Sequence, residues 1–173
     1  MKKSVGLILM SLIPQENGSK RLVAVLQRRG VWDFERMEKE TFPGCYQVTF
    51  HGGLEEGETF LEALKRESVE ELGDEFTKES KVDKNPKELF HKNETEKEVI
   101  TFGILVSPEQ LSLIRLGMST GGLDFIDEKQ VAKIINIIPE FRENGAPVGI
   151  KAMFPDEIAA LKKAFEIFGK QLL

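Results

Sequence analysis

Apolar residues along this chain fall into blocks and stripes that predict alternating strands and helices. Val5 to Ile13 is an almost unbroken apolar run, which predicts a strand covered on both faces. Asn17-Gly18 predicts a hairpin turn. Leu22 to Arg28 predicts the returning strand, with Leu22, Ala24 and Leu26 on one face and Val23 and Val25 on the other. Gly30 to Gly44 reads as a polar loop carrying Trp32, Phe34 and Phe42. Tyr46 to Phe50 alternates as a strand and runs into Gly52-Gly53.

The period then changes. Glu58 to Leu72 repeats at helical spacing, and Gly73 is a natural stop. Leu61, Leu64 and Leu72 mark its core stripe. Ser68 falls on the same stripe, so its hydroxyl is expected to bond a carbonyl one turn earlier, near Leu64. Thr77 to Lys87 is charged, contains Asn85-Pro86 and reads as an exposed loop. Strands are expected at Glu88 to His91 and Val99 to Val106, with Pro108 breaking the second. Glu109 to Leu116 fits a strand or a helix, Gly117 to Gly122 a flexible loop, and Asp127 to Ile135 a short helix. Pro155 opens a terminal helix with Ile158, Leu161, Phe165 and Phe168 on one stripe. Mixed strands flanked by helices imply a layered α/β domain, and with no repeat or linker residues 1–173 read as one domain.

Composition narrows the function. Apolar content of 40% and charged content of 31% fit a soluble globular protein. The net charge of −5 argues against a nucleic-acid backbone as the main partner. No run reaches the ~20 apolar residues needed to span a membrane. The start, Met1-Lys2-Lys3-Ser4 before an apolar run, faintly resembles a secretory signal, but no small-residue cleavage site follows and a buried first strand explains it better. Cys45 is the only cysteine, which makes a reducing cytoplasm the expected location.

Candidate chemistry concentrates on the first helix. Glu67, Glu70 and Glu71 stand at i, i+3 and i+4 and share one face. Read alone, that is most often a solvated acidic face. Grouped carboxylates also suit hard cations such as Mg²⁺, and they speak against a zinc site of the Cys/His type.

The glycines around the helix change the weighting. Gly52, Glu58, Arg66, Glu67, Glu70, Glu71 and Gly73 fill the fixed positions of a pattern that resembles the Nudix box, G-x5-E-x7-R-E-U-x-E-E-x-G-U, where U is bulky and apolar. A chance match in a chain of this length is on the order of one in a million. Ser68 and Asp74 occupy the two U positions and depart from the pattern.

The resemblance implies a Nudix-type α/β/α sandwich with a mixed sheet and a hydrolase that cleaves a diphosphate linked to another moiety, with Mg²⁺ or Mn²⁺ as cofactor. It implies Glu67, Glu70, Glu71 and the Gly52 carbonyl as metal ligands, with Glu67 the first choice for general base and Arg66 and Glu70 beside it in the catalytic group. Arg66 is expected to pair with a motif carboxylate, and Gly53, Glu58 and Gly73 to support the loop and helix. The family often carries one more Glu before the short helix near residue 127; here Asp124 is the candidate stand-in. Arg28, Arg29, His51 and Trp32 are candidate substrate contacts, weighed against surface charge, a strand end and a loop anchor. Stacking on a base is weighed for Phe34 and Phe42 as well, and His91 reads as structural. The partner implied is a small-molecule diphosphate, and the resemblance admits a homodimer. The alternatives are a Nudix-fold binding module without catalysis, or an enzyme like the isopentenyl-diphosphate isomerases, for which Cys45 is the nearest reactive group. The leaving group stays open, since the family sorts substrates by residues outside the motif.

Overall fold

The computed structural model describes residues 1–34, 36–118 and 120–170. In chain order its elements are β1 (Lys2–Pro14), β2 (Lys20–Arg29), β3 (Trp32–Asp33), β4 (Glu38–Lys39), β5 (Tyr46–Gln47), β6 (Phe50–Gly53), α1 (Phe60–Leu72), α2 (Asp74–Ser80) and β7 (Lys87–Asn93). They continue with β8 (Lys97–Val106), α3 (Pro108–Leu111), β9 (Thr120–Asp127), α4 (Glu128–Val131), β10 (Ile135–Asn136), α5 (Phe141–Asn144), β11 (Ala152–Met153) and α6 (Pro155–Lys170).

The apolar block of β1 is the centre of the molecule. Val5, Leu7 and Leu9 face one side of the sheet, Ile8 and Met10 the other, and all five are fully buried. β1 runs parallel to β8 and antiparallel to β2 and β6, so the sheet is mixed, in the order β5-β2-β1-β8-β7 with β6 against β1 and β9 against β2. Helix α1 covers one face through Ala63, Leu64 and Leu72. Helix α6 covers the other through Ile158, Leu161, Phe165 and Phe168, the stripe its sequence predicts, with Ala164 buried beside them. The result is the three-layer α/β/α sandwich.

Several local expectations are corrected. The strand expected from Tyr46 to Phe50 is split into β5 and β6. Thr49 sits fully buried where β1 and β2 diverge; its hydroxyl donates to the Val25 carbonyl and accepts from the Leu9 N–H at 2.9 Å, which replaces ladder bonds at the fork. The loop expected from Thr77 begins instead inside α2, because Phe76 is driven fully into the α1-side core and Thr77 is buried beside it. Leu61 is 42% exposed in the first turn of α1, where Phe60 packs against the core instead.

The glycine-rich stretch before Asp127 is strand β9, paired along β2. A Cβ at Gly121 would stand 2.8 Å from the Arg29 carbonyl oxygen, so only glycine permits this approach at the register shift in β2. The short helix expected from Asp127 to Ile135 spans only Glu128–Val131, capped by Asp127 and Gln130. Glu109 to Leu116 resolves into the short helix α3 at its start.

Candidate active site

Strand β6 delivers Gly52 and Gly53 to the N-terminal side of α1, and Thr59 starts that helix with a capping box to Glu62. Arg66, one turn further on, ties these pieces together. Its guanidinium makes a bidentate pair with Glu58, Nε to Oε1 and Nη2 to Oε2 at 3.0 Å each. Nη2 also donates to the Gly53 carbonyl at 2.7 Å, and Nη1 donates to Glu67 at 2.8 Å and Glu70 at 3.3 Å. Glu58 in turn accepts from the Glu55 N–H at 2.9 Å, which fixes the loop. The Arg66 guanidinium holds the Glu58 carboxyl below its usual range.

Glu67 is the buried member of the carboxylate group, at 9% exposure. It lies directly over Gly52: a Cβ built there would sit 1.9 Å from its carboxyl carbon. Burial pushes the Glu67 carboxyl above its usual range, with Glu70 and Glu71 adding to the effect and Arg66 opposing it. The product is a carboxylate more basic than an exposed one.

Glu70 is exposed, and Glu71 accepts from the Gln27 side chain at 3.2 Å. Gln27 is itself bonded to Gln47, and Arg29 donates to Gln47 at 3.2 Å. This relay joins the helix carboxylates to the Arg29 guanidinium, which Glu40 (2.8 Å) and the Thr41 carbonyl (3.0 Å) hold from the other side. A cleft of about 220 Å³ lies between, lined by Arg29, Arg36, Gln47, His51, Glu70 and Glu71. Carboxylates thus face guanidinium groups across a space that suits a phosphate chain.

Gln27, Gln47, Arg36 and Glu40 escaped the sequence reading. Gln27 alone left a signal there: it continues the buried Val23–Val25 face of β2 as a polar residue, and it is 5% exposed.

Other expected residues sit elsewhere. Arg28 does not line the cleft, because its guanidinium is spent on the Gly121 carbonyl at 2.8 and 3.2 Å. Trp32 and Phe34 line a neighbouring surface hollow with Arg28; among the described residues the hollow shares only Arg29 and Met118 with the cleft. Phe42 packs edge-on against Phe154 at 5.3 Å, as a loop anchor. Asp124 is bonded to the Tyr46 hydroxyl and to Lys151 at 3.0 Å, on the α6 side of the sheet and away from Glu71. It is therefore no stand-in for a further acid beside the helix carboxylates. His91 pairs with Glu98 at 3.2 Å between β7 and β8. His51 lines the cleft, and burial, then the charges of Lys97 and Arg29, push it down to about 4, so it is neutral at pH 7. The Ser68 hydroxyl bonds Thr77 Oγ1 at 2.8 Å, not the carbonyl near Leu64, because α2 places Thr77 against it.

The donor set fits a hard divalent cation in chemistry: it is all oxygen and rich in carboxylate, and the missing side chain of Gly52 makes a cradle under Glu67. Among the described residues no three His, Cys, Asp or Glu side chains already stand grouped to hold a metal. Glu67 is turned to Arg66 and Glu71 to Gln27.

Comparison with known proteins agrees with this architecture. A family model described as NUDIX domain matches residues 10–119. No curated protein matches the chain. Among solved structures, a mutT/nudix family protein from Listeria innocua superposes with a TM-score of 0.64 at 17% identity, covering 99% of this chain and 96% of that one. A C. elegans Ap4A hydrolase, solved as a binary complex, gives 0.57 at 16% identity over 99% of each chain. The NUDIX domain of Shewanella oneidensis NrtR, complexed with ADP ribose, gives 0.57 at 13% identity over 96% of this chain and 87% of that one. At these identities the structures speak for the fold.

Proposed function

This chain belongs to the NUDIX domain family and is an enzyme of its pyrophosphohydrolase kind, and on that premise we propose that it hydrolyses a nucleoside diphosphate linked to a second moiety. One observation carries the reading: Glu67, buried on Gly52 and braced by Arg66, belongs to the helix whose Glu70 and Glu71 line a cleft that also holds Arg29 and Arg36.

Water is the nucleophile. Its oxygen forms the new bond to phosphorus, the bridging P–O bond breaks, and the departing phosphate oxygen takes the electron pair. Glu67 is the group proposed to accept the proton of the attacking water. Arg29 and Arg36 hold the phosphate oxygens, and Arg66 keeps Glu67 aimed. Mg²⁺ or Mn²⁺, when held by Glu67, Glu70, Glu71 and the Gly52 carbonyl, would supply Lewis-acid stabilisation of charge on the phosphates. Glu67 and Glu71 would have to turn from Arg66 and Gln27 to do so.

We take residues 1–173 as one domain, acting on a small molecule in the cytoplasm. Among the described residues no helix is long and apolar enough to cross a membrane.

The test is a panel of nucleoside diphosphate compounds, with ADP-ribose and diadenosine tetraphosphate included, incubated with Mg²⁺ or Mn²⁺ and with chelator. Metal-dependent release of a nucleotide is expected from at least one compound. No release from any of them with either metal would overturn the proposal.

A further inference from the structure

Two glutamines stand between the helix carboxylates and the arginine across the cleft. Gln27 in β2 and Gln47 in β5 are partners across antiparallel strands, so their side chains share one face of the sheet. Gln27 and Arg29 lie two apart on β2 and share that face as well. All three line the cleft with Glu71. Gln27 ends the buried run of β2 and is 5% exposed. An amide so buried is stable only when its polar atoms are matched.

The bonds among these residues run in one direction. Arg29 Nη1 donates to Gln47 Oε1 at 3.2 Å, Gln47 Nε2 donates to Gln27 Oε1, and Gln27 Nε2 donates to Glu71 Oε2 at 3.2 Å. The two ends fix this polarity. A guanidinium can only donate, and an ionised carboxylate can only accept. Between them each amide has to turn its oxygen toward Arg29 and its NH2 toward Glu71. Flipping either one sets donor against donor or acceptor against acceptor. The far side of Arg29 is closed by Glu40 at 2.8 Å and the Thr41 carbonyl at 3.0 Å. The chain is therefore anchored at Arg29, and its exchangeable end is Glu71.

We propose that Gln27, positioned by Gln47, is an exchange donor that passes from Glu71 to a substrate phosphate oxygen and thereby couples cation binding to phosphate binding. The inference rests on the diphosphate-hydrolase reading, in which Glu71 would turn from Gln27 to serve a cation. That turn takes the acceptor from a buried N–H, which is costly if nothing replaces it. A phosphate oxygen held by Arg29 is the replacement, an anionic acceptor in the cleft that Gln27 also lines. Phosphate arriving first displaces Glu71 from Gln27 and releases it for the cation. Each ligand removes the obstacle to the other, and linkage makes the effect equal in both directions. Gln47 keeps Gln27 Nε2 aimed during the exchange, because its own amide is held by Arg29.

Mg²⁺ and inorganic phosphate test this without turnover. Mg²⁺ is titrated calorimetrically into the full chain, first alone and then at saturating phosphate. Wild type should bind Mg²⁺ about fivefold or more tightly with phosphate present, the lower end of ordinary coupling between sites. Gln27→Met keeps the length of the side chain but cannot donate. It should bind Mg²⁺ alone no more weakly than wild type, since Gln27 no longer holds Glu71 back, and should lose the phosphate effect. Gln47→Met, which serves if Gln27→Met does not fold, should reduce that effect in the same direction. In NMR, the Gln27 side-chain NH2 signal should shift on adding Mg²⁺ and shift again on adding phosphate. No phosphate effect in wild type, or a full effect in the variants, overturns the inference. Weaker binding of Mg²⁺ alone by the variants also overturns it, because a merely structural amide would give that result. Hydrolysis by a wild-type protein without coupling would refute the inference and leave the activity standing. Coupling that depends on Gln27 in a protein without hydrolysis would uphold it and refute the activity instead.

Discussion

Gly52 and Glu67 are packed so closely that a side chain on residue 52 would displace the Glu67 carboxylate: a Cβ there would lie 1.9 Å from its carboxyl carbon and 2.1 Å from Oε1. The glycine is therefore what lets Glu67 keep its present seat, because the carboxylate must give way to any substituent. Gly53, next to it, would meet nothing within 4 Å, so only the first glycine of the pair is fixed by packing.

Gly52→Ala should therefore act on chemistry through Glu67. We expect hydrolysis to fall by about a hundredfold or more, the scale of a lost general base. The melting temperature should drop by a few degrees, as for a typical strained substitution. Rates at saturating Mg²⁺ beside a thermal melt check this. Full activity with a lowered Tm would show that Glu67 has no need of its present seat.

Arg66→Ala removes the tie among Glu58, Gly53 and Glu67. Activity is expected to fall by about tenfold to a hundredfold, because Glu67 loses the group that aims it. Arg66→Lys should recover little, since one ammonium cannot reproduce the bidentate pair with Glu58. Rescue of the rate to near wild type by lysine would contradict the geometric role.

Ser68 departs from the apolar residue its motif prefers, and the structure gives the cause. Its hydroxyl bonds Thr77 Oγ1 at 2.8 Å, and Thr77 donates onward to the Gly73 carbonyl at 2.9 Å. Ser68→Val should cost about 1 kcal/mol of stability through the broken bond and leave kcat unchanged. A denaturant melt reads the first and initial rates the second. A stabilised variant would mean that the added methyl groups outweigh the hydrogen bond.

The long elements were legible because their periodicity is strong: the double-faced run of β1, the stripe of α6 and the acidic face of α1. What was missed depends on contacts distant in sequence. β9 looks like loop because its glycines are there to let it approach Arg29. α2 looks like loop because one buried aromatic, Phe76, anchors a charged segment. The split of β5 from β6 comes from Thr49 bonding two diverging strands. In the site, the pairing of Arg66 was readable within one motif. The Gln27–Gln47–Arg29 relay was not, since its members converge only after the sheet forms.

Glu157 gives stability a pH dependence. Its carboxyl is pushed from an ordinary 4.5 up to about 7, mainly by burial, against the Val48 N–H, the Arg29 charge and the Phe154 backbone, and with Asp156. A raised acid binds its proton more tightly folded than unfolded. The burden is absent below pH 4.5, grows between 4.5 and 7, and is full above 7. Glu157→Gln should therefore raise Tm at pH 8 and change it little at pH 4.5. Equal shifts at both pH values would place the carboxyl in a solvated setting.

The most direct test compares wild type with Glu67→Gln on the nucleoside diphosphate panel as Mg²⁺ is raised from zero. The substitution keeps the shape over Gly52 and removes only the charge and basicity. The account predicts wild-type turnover that rises with Mg²⁺ and saturates, and a folded Glu67→Gln protein slower by about a hundredfold or more. Equal rates for the two proteins would contradict it.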